Sequence, residues 1–231
     1  MKRHDEDVMS ESEQVSQLIG QLSADLAPVR RLPPPWLRTL VWLAVVLVVA
    51  AILVATRTLL PALGIIGNDP FMLPGAYASL ATAALAAIAA FELSLPDRSD
   101  WWALLPLPPL VVWVALNGLG CLATLAIPGK QTSPFQFMVC LGLIFAISLP
   151  LTAAMIFMLR RTRPLRPLRV GILGGLAAAA AAATLLVLIH PHDSAVLDLA
   201  AHTVAVGVVI GLNVLLGGRL LVPANKFRGR L

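Results

Sequence analysis

LRTLVWLAVVLVVAAILVAT, residues 37–56, is the stretch that decides the fold. Its twenty positions carry a single charge, Arg38, at one edge. A run this long and this apolar matches the ~20 residues a helix needs to cross the hydrocarbon core of a bilayer. Five further segments of similar character follow, at 71–91, 106–126, 135–158, 168–188 and 197–221. The whole chain agrees with them. Of its 231 residues 58% are hydrophobic and 13% charged, whereas a soluble domain carries about twice that charge; the mean hydropathy is +0.86. The expected fold class is therefore all-α, a polytopic membrane protein built as a six-transmembrane-helix bundle. Pro106, Pro108 and Pro109 suit the start of the third span. Pro74 and Pro150 fall inside spans, where a kink is tolerated if neighbours satisfy the freed backbone groups.

The cations orient the bundle. With the N-terminus inside, the inner segments hold 15 of the 17 Lys and Arg residues, and only Arg57 and Lys130 fall outside. Such asymmetry predicts cytoplasmic N- and C-termini and an even number of spans. No secretory signal peptide is visible, so the first span is expected to act as an uncleaved anchor. The expected division is a cytoplasmic N-terminal tail over 1–36, the six-helix membrane domain over 37–222 and a cytoplasmic C-terminal tail over 223–231. Trp36, Arg38 and Trp42 are expected at the bilayer interface.

Upstream of the first span, residues 1–14 are polar and acidic and are expected to be disordered. Ser10 and Glu13 fit the S-x-x-E capping box that opens a helix. Val15, Leu18, Ile19, Leu22 and Leu26 then fall within an arc of about 100° on that helix. Pro28 should end it. About four turns is marginal for an isolated helix, so its apolar stripe needs a cover, either a partner protein or the membrane surface. Arg30, Arg31 and the stiff Pro33-Pro34-Pro35 spacer lead into the membrane.

Little in the spans suits catalysis or transport. No Asp, Glu, Lys or Arg lies near a span centre, and the strongly polar residues well inside are Asn117 and Asn213. Transporters and proton relays normally need intramembrane ionisable groups. No nucleotide-binding loop, H-E-x-x-H or nucleophile elbow occurs, so no enzyme is expected. Gly207-x-x-x-Gly211 fits a dimerisation face or, more often, packing within one bundle. The alanine run at 177–183 predicts close helix packing. One constellation of reactive groups remains. Cys121, Cys140, His190, His192, Asp193 and His202 all map to the outer ends of spans three to six. Thiolate and imidazole suit zinc-like or softer metals, and thiols can be oxidised. Equally, free Cys often serves as a small buried hydrophobe, and no C-x-x-C or H-x-x-x-H spacing supports a metal.

The tract from Leu18 reads L-I-G-Q-L-S-A-D-L-A-P-V-R-R-L-P-P-P and ends at Pro35. Gly118-Leu119-Gly120-Cys121, Cys140, Ser148-Leu149-Pro150, Leu159-Arg160-Arg161 and Pro164-Leu165-Arg166-Pro167 follow, then His190-Pro191-His192-Asp193 with His202. In these features the chain resembles the NrsF-type proteins (negative regulator of sigma F), bacterial inner-membrane anti-sigma factors, over nearly everything after Gln14. The resemblance implies a protein that sequesters an extracytoplasmic-function sigma factor and releases it on oxidative or heavy-metal stress. It implies a sigma-binding set of Leu18, Ile19, Leu22, Asp25, Leu26, Arg30 and Arg31, and sensing by Cys121, Cys140 and His190. Some family members carry His-Cys-Pro where this chain has Ile189-His190-Pro191. That departure puts a simple disulfide switch between the fourth and fifth spans in doubt. It leaves either a metal held by Cys140, His190, His192 and His202, or a redox pair of Cys121 with Cys140. No other cofactor and no direct nucleic-acid contact is implied. Two alternatives stand beside this reading: a small transporter or permease component, and a structural membrane scaffold. Substrate flux in proteoliposomes would mark the first. An unchanged stress response after Cys→Ser exchange would mark the second.

Overall fold

The computed structural model describes residues 2–24, 32–55, 72–125, 134–162, 164–187 and 195–221. Among them the chain forms seven α-helices and one 3-10 helix, and no strand. It divides into two compact units, Met1–Leu32 and Pro33–Leu231.

The first unit contains α1, Lys2–Ala24. The helix starts well before the expected capping box, so residues 2–14 are helical and Ser10 lies inside α1. No Gly or Pro interrupts it before Gly20.

The second unit holds α2 (Pro35–Ala55), α3 (Met72–Leu93), the 3-10 helix (Asp100–Leu104), α4 (Leu107–Leu125), α5 (Pro134–Leu159), α6 (Pro167–Val187) and α7 (Ala195–Leu221). Each helix from α2 to α7 covers one of the predicted apolar segments. Five stretches are long and apolar enough to cross a membrane: Pro35–Ala55, Leu73–Leu93, Asp100–Leu119, Leu141–Leu159 and Pro167–Val187. In α7 the apolar stretch is shorter, Ala200–Leu216. Pro74 stands in the first turn of α3, where a missing N–H costs nothing, and not inside the helix as its place in the span had implied. Pro150 does lie within α5. Pro108 and Pro109 open α4.

α6 is the hub of this unit, packed on α3, α7 and α5. Its Gly171, Gly174 and Gly175 and all seven alanines at 177–183 are buried. Across from them α3 buries Ala83, Ala86, Ala87 and Ala90. Small side chains let backbones come close, and close packing is what joins helices where lipid is as apolar as the interface. The approach to α7 is tightest at Gly175, where an added Cβ would lie 2.8 Å from the Cα of Ile210. Asn213 sits in the same junction. Its Nδ2 donates to the Val209 carbonyl at 2.9 Å and lies 3.5 Å from Thr152 Oγ1 on α5. Asn117 is likewise bonded within its own helix, Nδ2 to the Trp113 carbonyl at 2.8 Å.

Gly207 and Gly211 do not pack within the bundle. A Cβ added at either would meet no atom within 4 Å. α7 meets α6 through Ile210 and Asn213 instead. Around the outside Leu47, Val48, Ile52, Val111 and Leu122 each leave more than half their surface exposed. In water so much bare apolar surface is unfavourable, and it fits a hydrocarbon surround.

Candidate functional site

In α1 the side chains of Val15, Leu18, Ile19 and Leu22 are 51%, 56%, 60% and 63% exposed. Their spacing brings them to neighbouring positions on the helix surface. Four apolar side chains held this open are suited to contact with another apolar surface. Ser23 and Gly20 are joined by a local hydrogen bond, Ser23 Oγ donating to the Gly20 carbonyl at 3.0 Å. Of the predicted sigma-binding set Leu18, Ile19 and Leu22 are therefore placed. Asp25, Leu26, Arg30 and Arg31 lie outside the described residues.

The second unit gathers arginines at one end, where α2 begins and α3 and α5 finish. Arg38, expected to snorkel into the interface, is buried. Its Nη1 donates to Ser94 Oγ at 3.2 Å, its Nη2 to the Met158 carbonyl at 3.2 Å, and its guanidinium stands 4.5 Å from the centroid of the Phe91 ring. Met158 belongs to the last turn of α5, where carbonyls lack a partner within the helix. The C-terminal ends of α3 and α5 are electronegative, which favours a cation between them. One guanidinium thus fastens three helices. Trp42, one turn further along α2, is also fully buried within the bundle. Its indole N–H donates to the Leu151 carbonyl at 3.3 Å. Trp36, by contrast, is exposed.

Beside this clamp lies a set of surface ion pairs. Asp100, at the start of the 3-10 helix, pairs with Arg166 and with Arg169, the latter at 2.6 Å. These contacts tie the segment after α3 to the loop between α5 and α6 through Arg166 and to the first turn of α6 through Arg169. Arg98 Nε is 2.8 Å from Glu92 Oε2, close enough for an ion pair but without hydrogen-bond alignment. Arg160 and Arg161 both lie over the ring of Phe157, at 4.3 and 4.8 Å. The exposed Trp101 and Leu165 adjoin Asp100 and Arg166 in sequence.

The expected Cys/His cluster is only partly in view. Cys121 lies near the end of α4 and Cys140 in the second turn of α5, both with side chains outside the description. His190, His192 and Asp193 fall outside the described residues. His202, in α7, is buried, with its ring 5.9 Å from that of Trp113 on α4 and tilted by 57°. Among the described residues no three His, Cys, Asp or Glu side chains come together as a metal site.

A family model described as negative regulator of sigma F, NrsF, matches residues 22–222. The chain belongs to the NrsF family. The match takes in all six apolar helices, the arginine clamp and the positions of both cysteines. It starts at Leu22, so Leu18 and Ile19 precede it, while Leu22, Asp25, Leu26, Arg30 and Arg31 lie within it. No curated protein and no solved structure matches significantly. A negative regulator of a sigma factor implies a sigma factor as partner, and the NrsF description names a regulator and no reaction.

Two features of this site escaped the sequence reading. The clamp by Arg38 was signalled only by its spacing to Trp42, which puts both on one face of α2. The pairing of Asp100 with the α5–α6 loop had a clearer cue: the orientation rule already places both segments on the same side.

Proposed function

We propose that this protein is a membrane-bound anti-sigma factor with six spans and both termini in the cytoplasm. It holds an extracytoplasmic-function sigma factor at the bacterial inner membrane and frees it under stress. The observation that carries this reading is the NrsF match over 22–222. The apolar side chains of α1, held in the open, support it. Amphipathic helices dock by laying such a face into a partner's hydrophobic groove. Leu18, Ile19, Leu22 and Leu26 are the anchors in this reading. Asp25, Arg30 and Arg31 add polar contacts to the sigma factor. Pro33, Pro34 and Pro35 set the distance to the bilayer.

Inhibition by capture needs binding alone. Release requires that the bound sigma factor be let go when the far side of the bundle changes. Cys121, Cys140 and His190 are the proposed sensors, acting by thiol oxidation or, with His192 and His202, by holding a metal.

The test is co-purification of the full-length protein with each extracytoplasmic-function sigma factor of the source cell in turn, from membranes, with sigma-dependent transcription read in parallel. Leu22→Asp combined with Leu26→Asp is expected to abolish both capture and repression while the protein stays in the membrane. Unchanged capture by this variant would remove α1 as the grip. Cys121→Ser with Cys140→Ser is expected to leave repression intact and block its release by oxidant.

A further inference from the structure

The bundle contains a cavity of about 190 Å³ bounded by α3, α4, α6 and α7. Its floor is made of small residues: Ser79 and Thr82 on α3, with Ala179, Ala180 and Ala183 on α6. All five are buried. Its open side lies between α4 and α7, where Val114 and Thr203 are exposed. Trp113 lines it as well, and the Trp113–His202 ring contact joins α4 and α7 at its edge.

The chemistry of the floor narrows the guest. The hydroxyl of Ser79 is bonded to the Ala76 carbonyl at 3.0 Å and to Thr184 Oγ1 at 2.8 Å. That of Thr82 is bonded to the Ala78 carbonyl at 2.8 Å. A trapped water needs two to four polar partners, and a cavity of about 150 Å³ with an apolar lining stays dry and takes a benzene-sized guest. This cavity is larger and equally poor in spare polar groups. From Leu176 to Ala183 its wall follows α6 for about 10 Å. The lining extends further along α6 than along α3, α4 or α7, and we refer to the cavity as a slot on that account.

We propose that this slot is a binding site for a single lipid acyl chain entering sideways between α4 and α7. The proposal rests on the membrane placement above. The mouth is continuous with the outward apolar surface of α4, where Val111 and Val114 are exposed. In a bilayer the medium against that surface is hydrocarbon chains. A chain lying in the slot gains contacts with the alanine floor and the Trp113 ring that an unfilled cavity forfeits. The alanines of α6 thus do two things. They admit α3 closely on one side and leave room for a lipid tail on the other.

The test uses the full-length protein in lipid nanodiscs containing phospholipid whose acyl chain bears a photoreactive diazirine, with crosslinks mapped to residues by mass spectrometry. Lipid surrounding the protein reaches exposed residues such as Val111. A chain in the slot also labels the buried residues Ser79, Thr82 and Ala179. Val114→Trp, which plugs the mouth from outside, and Ala183→Leu, which fills the floor, are each expected to abolish labelling of the buried residues and keep that of Val111. Labelling of exposed residues alone in the unaltered protein overturns the site. So does labelling of the floor by a headgroup-free alkyl diazirine but not by the phospholipid, which would make the guest a small free hydrophobe. Labelling that persists in both variants overturns it as well. Absence of any crosslink, at Val111 included, would overturn the membrane placement together with the site.

Discussion

Replacing Gly175 by alanine adds one methyl group at the described glycine that stands nearest a neighbouring helix. The new Cβ would stand 2.8 Å from Ile210 Cα, 3.2 Å from Ile210 Cγ1 and 3.3 Å from Asn213 Cβ. The first of these is a backbone atom and cannot swing aside, so α7 must shift as a body. Overpacking of this kind costs about 1–3 kcal/mol. The usual helix-propensity gain of about 1 kcal/mol for Gly→Ala is largely absent in hydrocarbon, where the backbone stays helical in any state. Gly175→Ala should therefore destabilise by about 1–3 kcal/mol. Gly174→Ala supplies a control on the same helix. Its Cβ would meet Met155 Cγ at 3.1 Å and Leu159 Cδ1 at 3.3 Å. Both belong to flexible side chains, so the cost should stay below about 1 kcal/mol. Gly207→Ala meets nothing within 4 Å and should change stability by no more than ~0.5 kcal/mol. The assay is unfolding of the purified full-length protein in mixed micelles by a rising SDS fraction, followed by tryptophan fluorescence. Ile210→Ala should restore only part of the loss, because it removes the Cγ1 contact and leaves the Cα in place. If Gly175→Ala and Gly207→Ala unfold at the same SDS fraction, the close approach of α6 and α7 is wrong.

Arg38→Met should cost about 1–3 kcal/mol in the same assay, because the buried Ser94 hydroxyl and the part-buried Met158 carbonyl lose their donor; Arg38→Lys, which keeps the charge but loses the fork reaching two acceptors, should fall between it and the unaltered protein. Trp42→Phe removes only the indole N–H donated to Leu151 and should cost about 0.5–1.5 kcal/mol, with no change in the oligomeric state measured by light scattering. Asp100→Asn breaks two half-exposed ion pairs, each worth roughly 0–1 kcal/mol. Its small effect should disappear when unfolding is repeated in 1 M salt, where the screening length falls to about 3 Å.

How much of this was legible follows from where the information resides. Span length and apolarity are properties of a contiguous stretch, so the helices from α2 to α7 could be located from residues 37–56 outward. The unequal placement of arginines is also a property of position along the chain, and it assigns the segment after α3 and the α5–α6 loop to one side. In α1 the run Val15, Leu18, Ile19 and Leu22 stood out against polar neighbours, and the structure leaves those side chains open. α1 begins at Lys2, ahead of the Ser10 capping box, because a polar stretch free of Gly and Pro keeps its helix propensity whatever its charge.

Inside the bundle the same method loses its grip. A helix surrounded by hydrocarbon is apolar on both its packed and its outward faces, so the periodicity that separates inside from outside in water is missing. Gly207-x-x-x-Gly211 and Gly171-x-x-Gly174-Gly175 therefore look alike as letters, yet only the second lies against a neighbouring helix. Arg38 and Trp42 carry residue types common at an interface, and only the convergence of α3 and α5 on α2 buries them. The slot above Ala179 and Ala183 has no counterpart in the sequence, because a void is defined by what four separate helices fail to fill. The sequence by itself determined that the chain forms apolar helices and which ends of them are basic, since both follow from local composition. The tertiary structure decided which small residues are contacts, which cation is a clamp and where a lipid tail fits, since each depends on residues far apart in the chain meeting at one place.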